Sequence, residues 1–310
     1  MNPDFFQQAF VGRSKKYLYL IGVVVLTMPF WINLYAFFTG SANVAEARAQ
    51  LDAFSTDKNV QLILQLLPFL LLLIFLLLVV FLVHQRSPLT LVSTSKSMDF
   101  KRILVGFVSV FLPMLVLVLI QYFTSDDLLW NFKATSWFPL LLISLLLFPI
   151  QVAFEELLFR GYLLQAFGRL LGNKFPAIVL ASVLFGVFHA ANPEVEGLGW
   201  KTMIFYIGTG LFLSFITAVD QRLELAFGFH LGNNLLAALI VTSPESALLT
   251  DALFINTSAA TTNIGEFLIA VLVFYPILFL FFAKIFQWKQ LKSAIFGKII
   301  LPLGHTLKTP

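Results

Sequence analysis

Long apolar segments alternate with short polar connections along the whole chain. Eight of these segments are long enough, or nearly long enough, to cross the hydrocarbon core of a bilayer. No alternating strand pattern competes with them, and a helix satisfies its own backbone hydrogen bonds inside lipid. The pattern therefore predicts an all-α polytopic membrane protein with about eight transmembrane helices, at residues 17–38, 60–83, 103–123, 137–169, 176–191, 202–219, 223–241 and 266–286.

The charges of the connections assign each of them to a side of the membrane. Lys and Arg concentrate in four places: before residue 17, at 84–102, at 169–174 and after 283. The alternate connections hold fewer bases relative to their acids: 39–59, 124–136 and 242–265. Because basic residues are enriched in cytoplasmic connections, both termini are expected in the cytoplasm. We expect one membrane domain over residues 1–310, with a cytoplasmic tail at 287–310.

The composition also indicates a membrane protein, and it excludes several kinds of functional site. Hydrophobic residues make up 59% of the 310 positions and charged residues 12%, and the mean hydropathy is +0.90. Soluble domains hold about 25% charged residues. The small net charge of +4 is distributed by membrane side, so the expected surroundings are the lipid bilayer and no nucleic-acid partner is expected. The lack of Cys excludes disulfides, thiolate metal sites and a Cys nucleophile.

Ionisable and amide side chains cluster in three of the C-terminal segments. A charged side chain at the centre of a membrane helix costs roughly 2.5–3.5 kcal/mol, and such residues are functional candidates by default. The cluster consists of Glu155, Glu156 and Arg160 in the fourth segment, His189 with Asn192 after it in the fifth, and His230, Asn233 and Asn234 in the seventh.

Helical spacing separates the roles of the two carboxylates. Glu156 and Arg160 are four residues apart and share a face, so they are expected to pair. Glu155 lies about 100° away around the helix and is free for another partner. It stands 18 residues before position 173, and His189 stands 16 after it, so both are expected at matching depth. His230 matches that depth less well.

A carboxylate, two imidazoles and a carboxamide suit hydrolysis of an amide bond. Glu155 is the candidate general base for a water molecule, helped by His189, and His230 with Asn234 are candidate hydrogen-bond donors to an oxyanion. The same chemistry also suits a zinc site formed by Glu155, His189 and His230. Spacing alone leaves both versions open, so the cofactor is unknown, with none and zinc as the alternatives.

Three motifs make the chain resemble the CPBP (Abi) family of intramembrane proteases, which includes type II CAAX prenyl endopeptidases and bacteriocin-processing proteins. EExxxR is Glu155-Glu156-LLF-Arg160, FxxxH is Phe185-GVF-His189, and HxxxN is His230-LGN-Asn234. The resemblance covers a core at 137–241. It implies that Glu155 and His189 activate water, that His230 and Asn234 bind the oxyanion, and that Glu156, Arg160, Phe185 and Asn192 support them.

The resemblance leaves the substrate open. It implies an endopeptidase, glutamate-dependent or metal-dependent, that acts on a membrane-associated peptide or protein, in a multi-pass protein of the bacterial inner membrane. We expect its cavity to open toward the cytoplasm. A proton-coupled transporter and a non-catalytic immunity or scaffold protein are the alternatives. His84 and His305 lie outside the segments and are expected to be structural or solvated.

Overall fold

The fold is an assembly of membrane-length helices with a small sheet at one end. The structure is a computed structural model, and it describes residues 4–41, 43–95, 97–258 and 264–300. The helices in chain order are α1 (Lys16–Phe38), α2 (Val44–Phe54), α3 (Lys58–Leu78), α4 (Phe100–Thr124), α5 (Ala134–Glu156), α6 (Leu164–Leu171), α7 (Lys174–Phe188), α8 (Pro193–Leu198), α9 (Thr202–Asp220), α10 (Glu224–Leu239), α11 (Ile264–Ile269), α12 (Tyr275–Ile285) and α13 (Leu291–Phe296).

Several short elements join or flank these helices. Three π-helical segments continue α3, connect α5 to α6 and connect α11 to α12; they are Val79–Val83, Leu157–Leu163 and Ala270–Phe274. Two 3-10 helices lie before α1 and before α4, at Phe6–Phe10 and Pro88–Leu91. Three short strands, β1 (Leu128–Trp130), β2 (Val241–Thr242) and β3 (Phe254–Asn256), form a sheet in the order β1-β3-β2.

The expected membrane-spanning, all-α architecture is confirmed, but the count of eight spans is not. In the described part of the chain, six helices are long and apolar enough to cross a bilayer. The other two expected spans correspond to α7, with 15 residues, and α10, with 16 residues. Both are shorter than the roughly 20 residues that a full crossing needs. Two of the three motif-bearing helices, α7 and α10, are therefore too short for a full crossing, and they pack against longer helices.

Glycine residues on α10 bring this helix close to α4. A Cβ atom added to Gly228 would overlap the backbone carbonyl oxygen of Ile103, and one added to Gly232 would lie 2.8 Å from that of Phe107. The two glycines form a GxxxG pair, and small residues at this spacing allow membrane helices to approach closely. His230 and Asn234 lie on the other side of the same helix, which turns them away from α4.

The end of the bundle that holds residues 4–16 and 291–300 is closed by polar and aromatic contacts. The ring of His84 stacks on Tyr19 at 4.3 Å, and its Nε2 lies 2.8 Å from the Tyr162 hydroxyl. Burial lowers the pKa of His84 to about 4, so the ring is neutral at physiological pH. The structural interpretation of His84 is confirmed, whereas His305 lies outside the described residues.

Residues 287–300 pack on the protein and do not extend away from it as a free tail. Ile299 N–H donates to the carbonyl of Gly172 at 2.9 Å, and Lys174 N–H donates to that of Gly297 at 3.1 Å. The Phe296 ring stacks on Phe175 at 4.9 Å. The rest of the expected tail, 301–310, lies outside the described residues.

Candidate active site

Glu155 is held by one amide and faces one imidazole. It lies at the end of α5 and is 6% exposed. Its Oε1 accepts a 2.6 Å hydrogen bond from Gln151 Nε2, and its Oε2 lies 3.5 Å from His230 Nε2. Among the described residues, Oε2 has no hydrogen-bond partner although it is buried. A buried carboxylate oxygen without a donor is costly, so this atom is available to a proton, a water molecule or a substrate.

Glu156 is shared between a cation and a histidine. Its Oε1 lies 2.7 Å from Arg160 Nη1 and 2.7 Å from His230 Nδ1. Arg160 is fully buried, and its guanidinium stands 4.1 Å from the centre of the Phe185 ring. The predicted pairing of Glu156 with Arg160 is confirmed. The Phe185 ring face adds a cation–π contact, while Nε and Nη2 of Arg160 have no hydrogen-bond partner among the described residues.

His189 is oriented by contacts within its own motif and with α9. It follows the last residue of α7, and its Nδ1 lies 2.6 Å from the carbonyl oxygen of Phe185. A carbonyl only accepts hydrogen bonds, so Nδ1 carries a proton and the neutral ring leaves Nε2 as an acceptor. Tyr206 stacks on the ring at 4.5 Å, and Asn192 donates to the Tyr206 hydroxyl at 3.3 Å.

Gln151 links two of the expected site residues, and the sequence did not single it out. Its Nε2 donates to Glu155, and its Oε1 accepts a 3.0 Å hydrogen bond from Asn234 Nδ2. Asn233 Nδ2 in turn lies 3.4 Å from Asn234 Oδ1. The sequence does contain one indication of this contact: Gln151 stands four residues before Glu155, on the same helix face. Tyr206 was also missed.

The expected pairing by depth differs from the observed contacts. Counting residues from the cytoplasmic turns placed His189 opposite Glu155 and His230 lower. In the structure, Glu155 and His189 line one cavity, but the imidazole at 3.5 Å from Glu155 is that of His230. α10 begins at Glu224, only six residues before His230, so that turn must lie deeper than the turn between α6 and α7. The prediction assumed that the turn before α10 and the turn between α6 and α7 lie at the same depth in the membrane.

A cavity of about 740 Å³ connects this cluster with one surface of the protein. Its inner lining includes Glu155, His189, His230 and Asn234, and its outer lining comes from α2, α8 and the loop at 246–248. This volume is typical of ligand clefts, which range over roughly 300–1,000 Å³. The outer elements lie at the ends of helices opposite the terminal segments. The expectations of cytoplasmic termini and of a cavity open toward the cytoplasm therefore do not fit together in this arrangement.

Glu194 stands at the outer part of this cavity, in α8. Its Oε1 accepts a 2.6 Å hydrogen bond from the backbone N–H of Ala247. Burial raises the pKa of Glu194, with smaller opposing effects from its hydrogen bonds and from Arg48. Arg48 of α2 donates to the carbonyl of Ser246 at 3.2 Å. The cavity thus has an acid and a base near its mouth as well as the carboxylates at its floor.

The three candidate zinc ligands do not form a metal site as they are arranged. In residues 4–41, 43–95, 97–258 and 264–300, no three His, Cys, Asp or Glu side chains are placed to hold a metal ion. Glu155 and His230 approach each other, whereas His189 makes its nearest polar contact with Phe185. No chemical step is therefore derived through a metal at Glu155, His189 and His230.

Comparison with known proteins supports the family inferred from the motifs. Residues 135–236 match the model of a family described as type II CAAX prenyl endopeptidase Rce1-like. An uncharacterized protein of Bacillus subtilis, YyaK, is 35% identical over 159 residues, which cover 51% of this chain and 53% of that protein. The match thus spans about half of the relative's length. No solved structure is significantly similar to the chain. The resemblance is confirmed for residues 135–236.

Replacing Arg160 by Met tests the buried ion pair. Removal of one partner leaves the other as an uncompensated buried charge, so R160M is expected to lower the free energy of unfolding by about 3–5 kcal/mol. The double variant Glu156→Gln/Arg160→Met is expected to recover part of this loss, because Gln carries no charge and its carbonyl still accepts from His230. Thermal unfolding in detergent measures both. Unchanged stability of R160M would show that the pair is dispensable.

Proposed function

We propose that the chain, with its Rce1-like segment at residues 135–236, is an intramembrane endopeptidase of the bacterial inner membrane. It hydrolyses a peptide bond of a membrane-associated peptide or protein. The observation that carries this proposal is Glu155 Oε2, a buried carboxylate oxygen without a hydrogen-bond partner among the described residues, at the floor of a cavity that also contains two imidazoles. A general base requires a lone pair that no hydrogen bond already occupies, near the position of the attacking water.

Glu155 acts as the base toward water. Water enters the cavity and binds Glu155 Oε2, and His189 Nε2 accepts its second hydrogen bond. As the water oxygen attacks the scissile carbonyl carbon, Glu155 takes up the released proton and a tetrahedral intermediate forms. The same proton then passes to the amide nitrogen and the C–N bond breaks, which gives a carboxylic acid and an amine. The second water proton passes from the acid to the amine, so the products leave as a carboxylate and an ammonium ion. Gln151 fixes the second oxygen of Glu155 at 2.6 Å, which aims Oε2 at the reacting atoms.

His230 and Asn234 stabilise the oxyanion. Asn234 uses one of its two amide hydrogens for Gln151 at 3.0 Å, which leaves the other for the substrate. His230 donates from Nε2 only as an imidazolium, since its Nδ1 proton is directed at Glu156 at 2.7 Å. The imidazolium and Arg160 then balance the charges of Glu155 and Glu156. Charge balance favours this state because an uncompensated charge is costly inside the membrane.

The supporting residues keep these groups in place. Glu156 positions His230, Arg160 neutralises Glu156, and Phe185 contributes both its ring under Arg160 and its carbonyl to His189. Asn192 acts through Tyr206, which stacks on His189. None of these residues needs to contact substrate. Their substitution is expected to lower activity less than loss of Glu155.

A proton-coupled transporter and a non-catalytic scaffold or immunity protein are the two alternative functions. A buried Glu, His and Arg cluster also suits the proton relay of a transporter, and a scaffold or immunity protein would retain the cluster without chemistry. Proton-coupled flux in liposomes would support the transporter, and a biological function that survives loss of Glu155 would support the scaffold.

We further propose that the base is glutamate alone, without a catalytic metal. The purified protein is expected to keep its activity in EDTA, because Glu155 and the neutral His189 provide the lone pairs that the water requires. Metal analysis of the same sample is expected to show less than one zinc per chain. Loss of activity in EDTA together with its recovery on addition of Zn²⁺ would overturn the glutamate-only version and leave the peptidase proposal intact.

Substitution of Glu155 by Gln tests the proposed function. E155Q keeps the size of the side chain but removes the base, so cleavage is expected to fall by at least the roughly 10²–10⁴-fold that acid–base catalysis provides. Membranes from cells with and without each variant reveal the cleaved peptide or protein by mass spectrometry. The matched control is Glu266→Gln, which removes an exposed carboxylate on α11. A fully active E155Q protein would refute the mechanism.

A further inference from the structure

We propose that the catalytic cavity opens to the extracytoplasmic side of the membrane and that its substrate is an exported, extended peptide segment that enters from there. The identity of the substrate rests on the proposed peptidase function. The direction of the opening rests on the structure and the charge distribution alone.

The cavity wall is built from the ends of helices that face away from the termini. α1 starts at Lys16 and contributes Phe30, Asn33 and Phe37 from its second half. α3 runs in the opposite direction and contributes Gln65 from its first half. α2, which connects α1 to α3, contributes residues 43–51 to the same lining. All of these positions lie on the side that is reached after one crossing from the N-terminus.

The other side of the site is filled by side chains. Tyr162 and Leu163, which follow the carboxylate pair toward the terminal side, are fully buried. The Tyr162 hydroxyl contacts His84, and Arg86 donates to Gln165 Oε1 at 2.8 Å below it. Among the described residues that line the cavity, none comes from the basic connections at 84–99, 169–174 or 286–300. A peptide in the cytoplasm therefore meets a packed surface.

The basic residues identify the filled side as cytoplasmic. Lys15, Lys16, Arg169 and Lys174 lie at the ends of α1, α6 and α7 on that side. The connections at the cavity mouth carry more acids than bases: they hold Glu46, Asp52, Asp57, Glu194, Glu196, Glu245 and Asp251 against Arg48, Lys58 and Lys201. Since the Lys and Arg bias of short connections sets membrane orientation, the mouth faces outward. The Phe38 and Trp200 rings, stacked at 6.1 Å, are placed there as an interfacial aromatic pair.

The chemistry of the mouth suits a peptide backbone. Its lining includes the carboxamides of Asn33, Asn43, Gln65, Asn192 and Asn233. Each carboxamide both donates and accepts hydrogen bonds, as the N–H and C=O groups of an extended peptide require. A CAAX sequence presented from the cytoplasm would also approach the filled side.

α2 covers the mouth and is attached to it loosely. Within Val44–Phe54, all of which the structure describes, no residue is buried. Its polar contacts to the rest of the protein include Arg48 with the carbonyl of Ser246 at 3.2 Å and Asp52 with Gln61 at 2.8 Å. Surface contacts of this kind contribute little stability. Displacement of α2 is therefore a low-cost way to admit an extended segment.

Single cysteines test the direction of the opening, because the natural chain contains none. Ala237→Cys places a thiol on the cavity lining, one turn beyond Asn234, and Ala47→Cys places one on the covering helix. Ser293→Cys is the matched control, exposed on α13 at the terminal side. Spheroplasts carrying each variant are treated with a sulfonated, membrane-impermeant maleimide, before and after permeabilisation.

A237C and A47C are expected to react fully in intact spheroplasts, whereas S293C is expected to react only after permeabilisation. The reverse pattern would overturn the proposal, and so would protection of A237C while A47C reacts. Labelling does not depend on turnover, so the same variants in an E155Q background give the same answer even if the peptidase function is wrong. Conversely, an outward cavity in an active E155Q protein would refute the mechanism and leave the access route standing.

Discussion

The site depends on one carboxylate, that of Glu156, which binds Arg160 and His230 at the same time. Both contacts measure 2.7 Å and both partners are buried. A guanidinium and an imidazole in an apolar bundle each need a hydrogen-bond acceptor, and Glu156 provides it for both. Because His230 is anchored through Nδ1, its Nε2 is turned toward Glu155. The position of the proposed base relative to the proposed oxyanion donor thus follows from a residue that does no chemistry.

Helix packing makes this arrangement possible. Gly228 and Gly232 bring α10 against the backbone of α4, and the opposite side of α10 then reaches the carboxylate pair on α5. The π-helical segment Leu157–Leu163 begins directly after Glu156. Such segments recur at functional sites, and this one places Arg160 under the ring of Phe185 while keeping its contact with Glu156. Two local irregularities, a close helix approach and a widened turn, therefore surround the same carboxylate.

The sequence predicted the parts of the site that depend on local geometry. The pairing of Glu156 with Arg160 follows from their four-residue spacing, which puts both side chains on one helix face. The contact of His230 with Glu155 was not predicted, because it depends on the depth at which α10 begins. The role of Gln151 depends on Asn234 in another helix. A single sequence does not show which amide side chains on different helices form hydrogen bonds with each other. The direction of the opening does not follow from the motifs, because it depends on where surface elements close the bundle.

The central claim is that water, activated by Glu155, becomes part of a peptide product. The most direct measurement is proteolysis of cell membranes in ¹⁸O-enriched water, with purified protein added and new carboxyl termini read by mass spectrometry. New termini that carry ¹⁸O are expected with the natural chain, and none above background with E155Q. Equal ¹⁸O incorporation by the two proteins, or none by either, would contradict it.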